Sequence, residues 1–332
     1  MTPLRPNFVV IMTDTQGANI VGAYGRPEMR TPRLDAMARR GALFTRAYTT
    51  CPLCTPARAA LFTGIYAHTS GPWTNNIALG DNIKTMGQRF HDAGYHTAYT
   101  GKWHLDGHDY FGTGICPPGW DDAYWYDGKR YLAELTDEEI TLWRKGLQTT
   151  EQLRAHDIRP EFTWAHRVSD RAVDFLTAQR SAPFLLVVSY DEPHHPFTCP
   201  PEYAEAFADF DYDVGAAAFD TLQGKPAHQR EWAASVATQG RAAANGKLRH
   251  PLYFGCNSFV DSEIGRVLDA VERYAPPNTY VIFTSDHGDM MGAHGLAGKG
   301  PVMYEEITHI PLIVQQPGGV GAGSVNNTPV SH

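Results

Sequence analysis

Little in this sequence points toward a membrane or a nucleic acid. No apolar run reaches the roughly 18 uninterrupted residues of a membrane-spanning helix. The start, MTPLRPNFVVIMTD, has no charged segment ahead of a cleavable apolar core. The chain therefore reads as soluble and cytoplasmic. Positive charge is in deficit, with 28 Lys and Arg against 36 Asp and Glu and a formal net charge of -8. That argues against a nucleic-acid partner but leaves room for a local basic cluster that meets a small anion. Cysteine is scarce. The five present, at 51, 54, 116, 199 and 256, are odd in number and scattered, unlike the framework of a disulfide-bonded secreted domain. Internal repeats and low-complexity stretches are missing as well.

What is present is an alternation of short apolar runs with amphipathic ones. Runs over 7–14, 96–103, 183–190, 278–288 and 310–316 have the length and β-branched or aromatic content of buried strands. Helical patterns cover Leu34 to Ala42, Ile83 to Ala93, Trp164 to Gln179 and Tyr253 to Tyr274. The expected fold class is α/β, with a central, largely parallel mixed β-sheet sandwiched between helices. Asp14 closes the first strand, and Lys102 and His104 follow the second. Asp191, Glu192 and His194 follow the third, and Asp286 and His287 close the fourth. Ligands of open α/β sheets bind at the carboxyl ends of strands, so these residues predict one site. Segments 116–163 and 199–250 lack a strong period and read as insertions that cover or flank it.

The stretch 51-CPLCTPARAALFTG-64 carries the most chemistry. Thr55 followed by Pro56 predicts an N-cap and a first helical residue, and Gly64 a helix end. Cys54 then sits just before a helix N-terminus, where free N–H groups favour an anion, with Arg58 one turn in. Taken alone, Cys51 and Cys54 read first as two packed thiols, with a redox pair second and half a metal site third, since no other pair in the chain has matching ligand spacing.

The sequence around Cys54 resembles the signature of the type I formylglycine-dependent sulfatases, Cys-x-Pro-x-Arg followed by Thr-Gly. These enzymes belong to the alkaline phosphatase superfamily. Further blocks resemble the family in order: 7-NFVVIMTDTQ-16, 100-TGKWHL-105, 193-PHHPF-197, 284-TSDHGDMMGAHGLAGKG-300 and 304-YEEITHIPLIV-314. The stretches 71-GPWTNN-76 and 103-WHLDGHDYFGTG-114 look like a YidJ-like branch of it.

The resemblance implies that Cys54 is oxidised to formylglycine by a maturation enzyme. One hydroxyl of the aldehyde hydrate attacks sulfur. The second then loses a proton, the carbonyl reforms and sulfate leaves. It also implies a divalent cation on Asp14, Cys54, Asp286 and His287, Ca²⁺ before Mn²⁺, although His287 is unusual for Ca²⁺. Arg58 and Lys102 would position the modified residue and neutralise sulfate, and His104 would assist the diol. His194, or His195 in its place, and Lys299 would contact sulfate, one of them protonating the leaving oxygen. The substrate expected is a small sulfated carbohydrate.

Two other functions compete. A phosphonate monoester or phosphodiester hydrolase could use the same site, as the Asp286-His287 pair suggests. A thiol-redox or metal-binding protein would use Cys51 and Cys54 directly. The reading is of one catalytic domain over 1–332. Family members usually carry a small C-terminal subdomain beyond such a strand, and it is expected to be absent here, with apolar surface near 310–316 short of cover.

Overall fold

The computed structural model describes residues 5–178, 182–237 and 240–332. Its main sheet has seven strands: β1 (Asn7–Thr13), β2 (Ala42–Phe44), β3 (His96–Gly101), β4 (Phe184–Ser189), β5 (Thr279–Ser285), β6 (Leu312–Gln315) and β7 (Ser324–Asn326), in the order β7-β2-β6-β5-β1-β4-β3. Strands β5, β1, β4 and β3 run parallel. Strand β6 is antiparallel to both of its neighbours. The sheet is thus mixed and largely parallel, as the alternation of patterns predicts.

Both faces of the sheet are covered, which is why the middles of its central strands are continuous apolar runs, Phe8–Met12 and Phe184–Val188 among them. Val9, Ile11, Leu186, Val188, Val281 and Phe283 point one way. They pack on α1 (Pro32–Arg40) and on two longer helices, Trp164–Thr177 and Pro251–Tyr274. Val10, Met12, Leu185, Val187 and Tyr99 point the other way, onto Ala59 and Phe62 of the helix Cys54–Thr63. Below these helices are called α2 (Cys54–Thr63), α3 (Met86–Asp92), α4 (Trp164–Thr177) and α5 (Pro251–Tyr274). Burying an aromatic such as Trp164 or Phe259 contributes on the order of 1.5–3 kcal/mol.

Several boundaries differ from the sequence reading, each for a local reason. The helix expected from Ile83 starts at Met86, because Thr85 and Gln88 close a capping box there. Helix α5 starts at Pro251, where the His250 ring accepts from the Tyr253 N–H. Gln179 lies outside the described residues. The run 310–316 is split. His309–Ile310 pairs with Ala47–Tyr48 in a small second sheet, and β6 begins only after Pro311, which has no N–H to donate. Strand β6 lies inside the main sheet, with Ile313 buried and Leu312 and Val314 half-buried. Segment 116–163 is built largely into the core, with Trp120 and Trp125 on one face and Tyr131, Trp143 and Leu153 on the other. It also flanks His195 at Gly146, where a Cβ would lie 3.9 Å from the ring. Among the described residues no helix is long and apolar enough to cross a membrane.

Strand β3 ends on a residue that only glycine can supply. Gly101 has φ 108°, and a Cβ there would lie 1.8 Å from the Ser189 carbonyl oxygen. This close approach lets the Lys102 N–H donate to the same oxygen at 2.8 Å and turns Lys102 into the site. Gly101→Ala is therefore expected to cost about 3 kcal/mol or more, read as a lowered midpoint of denaturant unfolding.

Candidate active site

Four chain segments leave the sheet at its carboxyl end and meet around the first turn of α2. Cys54 is the first residue of that helix, not the residue before it. The N-cap is Leu53, which supplies no side-chain cap. The expected capping role of Thr55 is therefore corrected. Its hydroxyl accepts from the Asn76 N–H at 3.3 Å and its own N–H donates to Asn75 Oδ1 at 3.0 Å. These bonds tie the loop carrying Asn75 and Asn76 to the helix start. At the far end Gly64 takes the left-handed conformation, φ 71°, and closes α2 as expected.

Arg58 is fully buried one turn into α2. Its Nε donates to Asp286 Oδ2 at 2.9 Å and its Nη2 to Asp14 Oδ2 at 3.3 Å. Nη1 donates to the Lys102 carbonyl at 2.6 Å and to Ser189 Oγ at 2.8 Å. Lys102 Nζ lies 2.7 Å from Asp14 Oδ2 and 2.8 Å from Asp191 Oδ1. Burial works against both cations, and the facing carboxylates more than offset it, so Arg58 and Lys102 stay charged. Burial also pushes the Asp14 carboxyl up. Lys102, then Lys299, His194 and His287, outweigh that and hold it well below its ordinary value.

Asp14, Cys54, Asp286 and His287 bring one donor atom each within 4.8 Å of one another. Cys54 Sγ is 3.3 Å from His287 Nε2 and 3.8 Å from Asp14 Oδ1. His287 Nε2 is 3.6 Å from Asp14 Oδ1 and 3.7 Å from Asp286 Oδ1. Donors about 2.0–2.4 Å from a shared ion lie about 3–4 Å from each other, so the spacing fits a divalent cation. The His287 tautomer fits too. Nδ1 lies 2.9 Å from the Gly288 carbonyl and carries the proton, which leaves the Nε2 lone pair for the cluster. Charge points the same way. The acids Asp14, Asp191 and Asp286 face Arg58, Lys102 and Lys299. Yet burial and then the neighbouring Asp14 push the Asp286 carboxyl up to about 7, a repulsion that a shared cation would relieve. The structure also separates the two cysteines. Burial raises the Cys51 thiol, whereas at Cys54 burial and Asp14 are outweighed by Lys299, Lys102 and His287, which lower it well below its ordinary value.

Thr15 borders the cluster, its hydroxyl on an Asp14 oxygen. It sits at φ 65°, an uncommon conformation for a β-branched residue. Three bonds hold it there: its hydroxyl to Asp14 Oδ1 at 2.6 Å, its N–H to Asp286 Oδ1 at 3.3 Å, and its carbonyl from Tyr253 Oη at 2.7 Å. His104 is buried against Cys54, with Nε2 2.7 Å from Asn76 Oδ1. Lys299 Nζ lies 3.4 Å from Thr15 Oγ1 and 3.6 Å from Asp14 Oδ1. His194, His195 and Lys299 all line a cavity of about 470 Å³ that opens beside Thr15. Its far wall comes from segment 199–250, through Trp232, Leu248 and His250.

All nine residues singled out from sequence thus lie on this cluster or on the cavity beside it. Beside these nine stand supporting groups: Asp191, read from the sequence as a strand-end residue, Asn75 and Asn76 of the stretch 71-GPWTNN-76, and Ser189, which the sequence reading missed. His96, His166, His294 and His309 each pair with a carboxylate elsewhere.

Compared with known proteins, the family described as Sulfatase matches residues 6–332. The chain is 58% identical over 330 residues to sulfatase YidJ of Escherichia coli strain K12, an alignment covering 99% of this chain and 66% of that protein. It is 25% identical over 382 residues to the N-acetylglucosamine-6-O-sulfatase of Bacteroides thetaiotaomicron, covering 97% of this chain and 65% of that one. The chain thus spans 66% and 65% of the lengths of these two relatives. In three dimensions it superposes on the phosphonate monoester hydrolase of Agrobacterium radiobacter with a TM-score of 0.75 and 24% identity, covering 98% of this chain and 71% of the other, a likeness of fold.

The buried network predicts that Arg58→Met leaves Asp286 and Asp14 facing one another without their shared donor. The expected loss is about 3–5 kcal/mol of stability, measured by urea unfolding. An unchanged midpoint would contradict the pairing described.

Proposed function

The chain belongs to the sulfatase family, and we propose that it works as a sulfuric ester hydrolase on a carbohydrate sulfate monoester. Residue 54 acts after its oxidation to formylglycine by a maturation enzyme. The carrying observation is the placement of Cys54: it opens a buried helix, touches the Asp14, Asp286 and His287 donors, and lies beside the cavity that Lys299 faces. The name of the N-acetylglucosamine-6-O-sulfatase supports a sugar as the sulfated group.

In this reading Asp14, residue 54, Asp286 and His287 hold a divalent cation, Ca²⁺ before Mn²⁺. When bound, the cation lowers the pKa of the attacking hydroxyl and takes a sulfate oxygen. Arg58 works from behind the cluster. Four of its five N–H groups go to the two carboxylates, the Lys102 carbonyl and Ser189, and the side chain is fully buried away from the cavity lining, so it positions the carboxylates. Lys102, wedged between Asp14 and Asp191, keeps a fixed positive charge next to residue 54. His104 accepts a proton from the hydrated residue 54. Burial lowers its pKa, and a proton on Nε2, given to Asn76, leaves the Nδ1 lone pair free for that task. Lys299 and His194, on the cavity wall, meet the sulfate oxygens, and one of them protonates the departing alcohol.

The Asp286-His287 pair favours a second reading, hydrolysis of a phosphonate monoester or phosphodiester through the same residues. Parallel rates on sulfate, phosphonate and phosphodiester esters separate the two, and the account expects sulfate to lead. Co-production with a formylglycine-generating enzyme should lower the chain mass by about 18 Da at residue 54. Cys54→Ala should lose more than about a thousandfold in kcat/KM. A chain that turns over sulfate esters with Cys54 still a thiol would sink the proposal.

A further inference from the structure

The cavity beside Lys299 has a one-sided charge. Lys299 is the sole lysine or arginine among its described lining residues, and in the proposed function it is occupied by the transferable sulfate. The lining also includes a carboxylate, Asp289. Its Oδ1 accepts from the Met291 N–H at 2.8 Å and the Gly298 N–H at 3.0 Å, which leaves Oδ2 for the cavity. Three imidazoles share the lining: His194, which the proposed function places on the sulfate with Lys299, and His195 and His250, both kept neutral by burial. His250 Nδ1 accepts from the Tyr253 N–H at 3.3 Å, so its proton is on Nε2, a donor suited to a hydroxyl. Aromatic rings, Phe197, Trp232 and Tyr253, share the rest of the lining with aliphatic groups such as Val236, Leu248 and Met291. Phe197 packs edge-on against His250 and Tyr253, with centroids 4.9 and 5.3 Å apart. Trp232 lies against Gly300, where a Cβ would meet the ring at 2.8 Å.

From this arrangement we infer that the cavity is a leaving-group subsite for an uncharged, hydroxyl-bearing ring whose only negative charge is the sulfate being removed. The inference rests on the hydrolase reading above. Aromatic walls cover the faces of a sugar ring, the neutral His250 and the free Asp289 oxygen offer a donor and an acceptor to its hydroxyls, and a second anion meets Asp289 with no cation to answer it. A volume of about 470 Å³ is within the size range of small-molecule sites. Specificity here is a matter of exclusion as well as fit.

The test uses the full chain with residue 54 converted. The probes are 4-nitrophenyl sulfate as reference, a set of glucose and galactose monosulfates, and for each monosulfate its disulfated and uronic-acid counterparts. At least one neutral hexose monosulfate should be cleaved, with kcat/KM at least about tenfold above its anionic counterparts. Asp289→Asn keeps the Oδ1 acceptor that holds the loop and removes the charge, so that ratio should fall toward one. Equal or better turnover of the anionic sugars by the unsubstituted enzyme would overturn the inference and leave the hydrolase reading standing. So would cleavage of 4-nitrophenyl sulfate with none of the hexose monosulfates. If no sulfate or phosphorus ester is cleaved at all, the hydrolase reading itself fails.

Discussion

The carboxyl end of the sheet is organised by one buried cation, Arg58. A guanidinium taken fully out of water is costly unless every donor is matched. Here its donors go to Asp14, Asp286, the Lys102 carbonyl and Ser189, that is, to the ends of four different strands. This makes the strand ends mutually dependent. Asp14 and Asp286 would repel each other without the shared partner, and the Lys102 carbonyl would keep only the hydroxyls of Ser189 and Tyr99. The planar fork suits the task in a way that an ammonium group does not. The price of keeping so much charge in the core is met by the site it builds.

From that network follow the other properties of the site. With its carboxylates aimed by Arg58, the cluster presents two oxygens, a sulfur and an imidazole nitrogen toward one point. The left-handed backbone of Thr15 and His104 persists because surrounding hydrogen bonds over-determine both residues. The cavity inherits its polarity from the same elements. Lys299 reaches in from the loop that Asp289 pins, and Phe197, Trp232 and Tyr253 share the lining with them. The chemistry therefore belongs to the strand ends, and discrimination among substrates to the loops above them.

Much of this was legible beforehand, and for identifiable reasons. Strands and helices carried their periods, and Asp14, Lys102, Asp286 and His287 stood at strand ends, where an α/β sheet collects its ligands. What stayed hidden depended on contacts between distant segments. Asp191 stood at a strand end, but its partner Lys102 lies 89 residues away. Thr55 looked like a helix cap, but its hydroxyl is taken by the Asn76 backbone, and no local pattern announces that. The share of segment 116–163 in the core was hidden because its aromatics serve two core faces in turn, so no single period arises. Segment 199–250 did prove to flank the site, although which of its side chains face the cavity was not readable from sequence.

The claim on which the account rests most heavily is that a divalent cation sits in this cluster beside residue 54. Electron–nuclear double resonance on the Mn²⁺-loaded chain tests it directly. The account predicts one directly coordinated imidazole nitrogen, lost in His287→Ala. A spectrum showing only water protons around the ion, unchanged by that substitution, would contradict it.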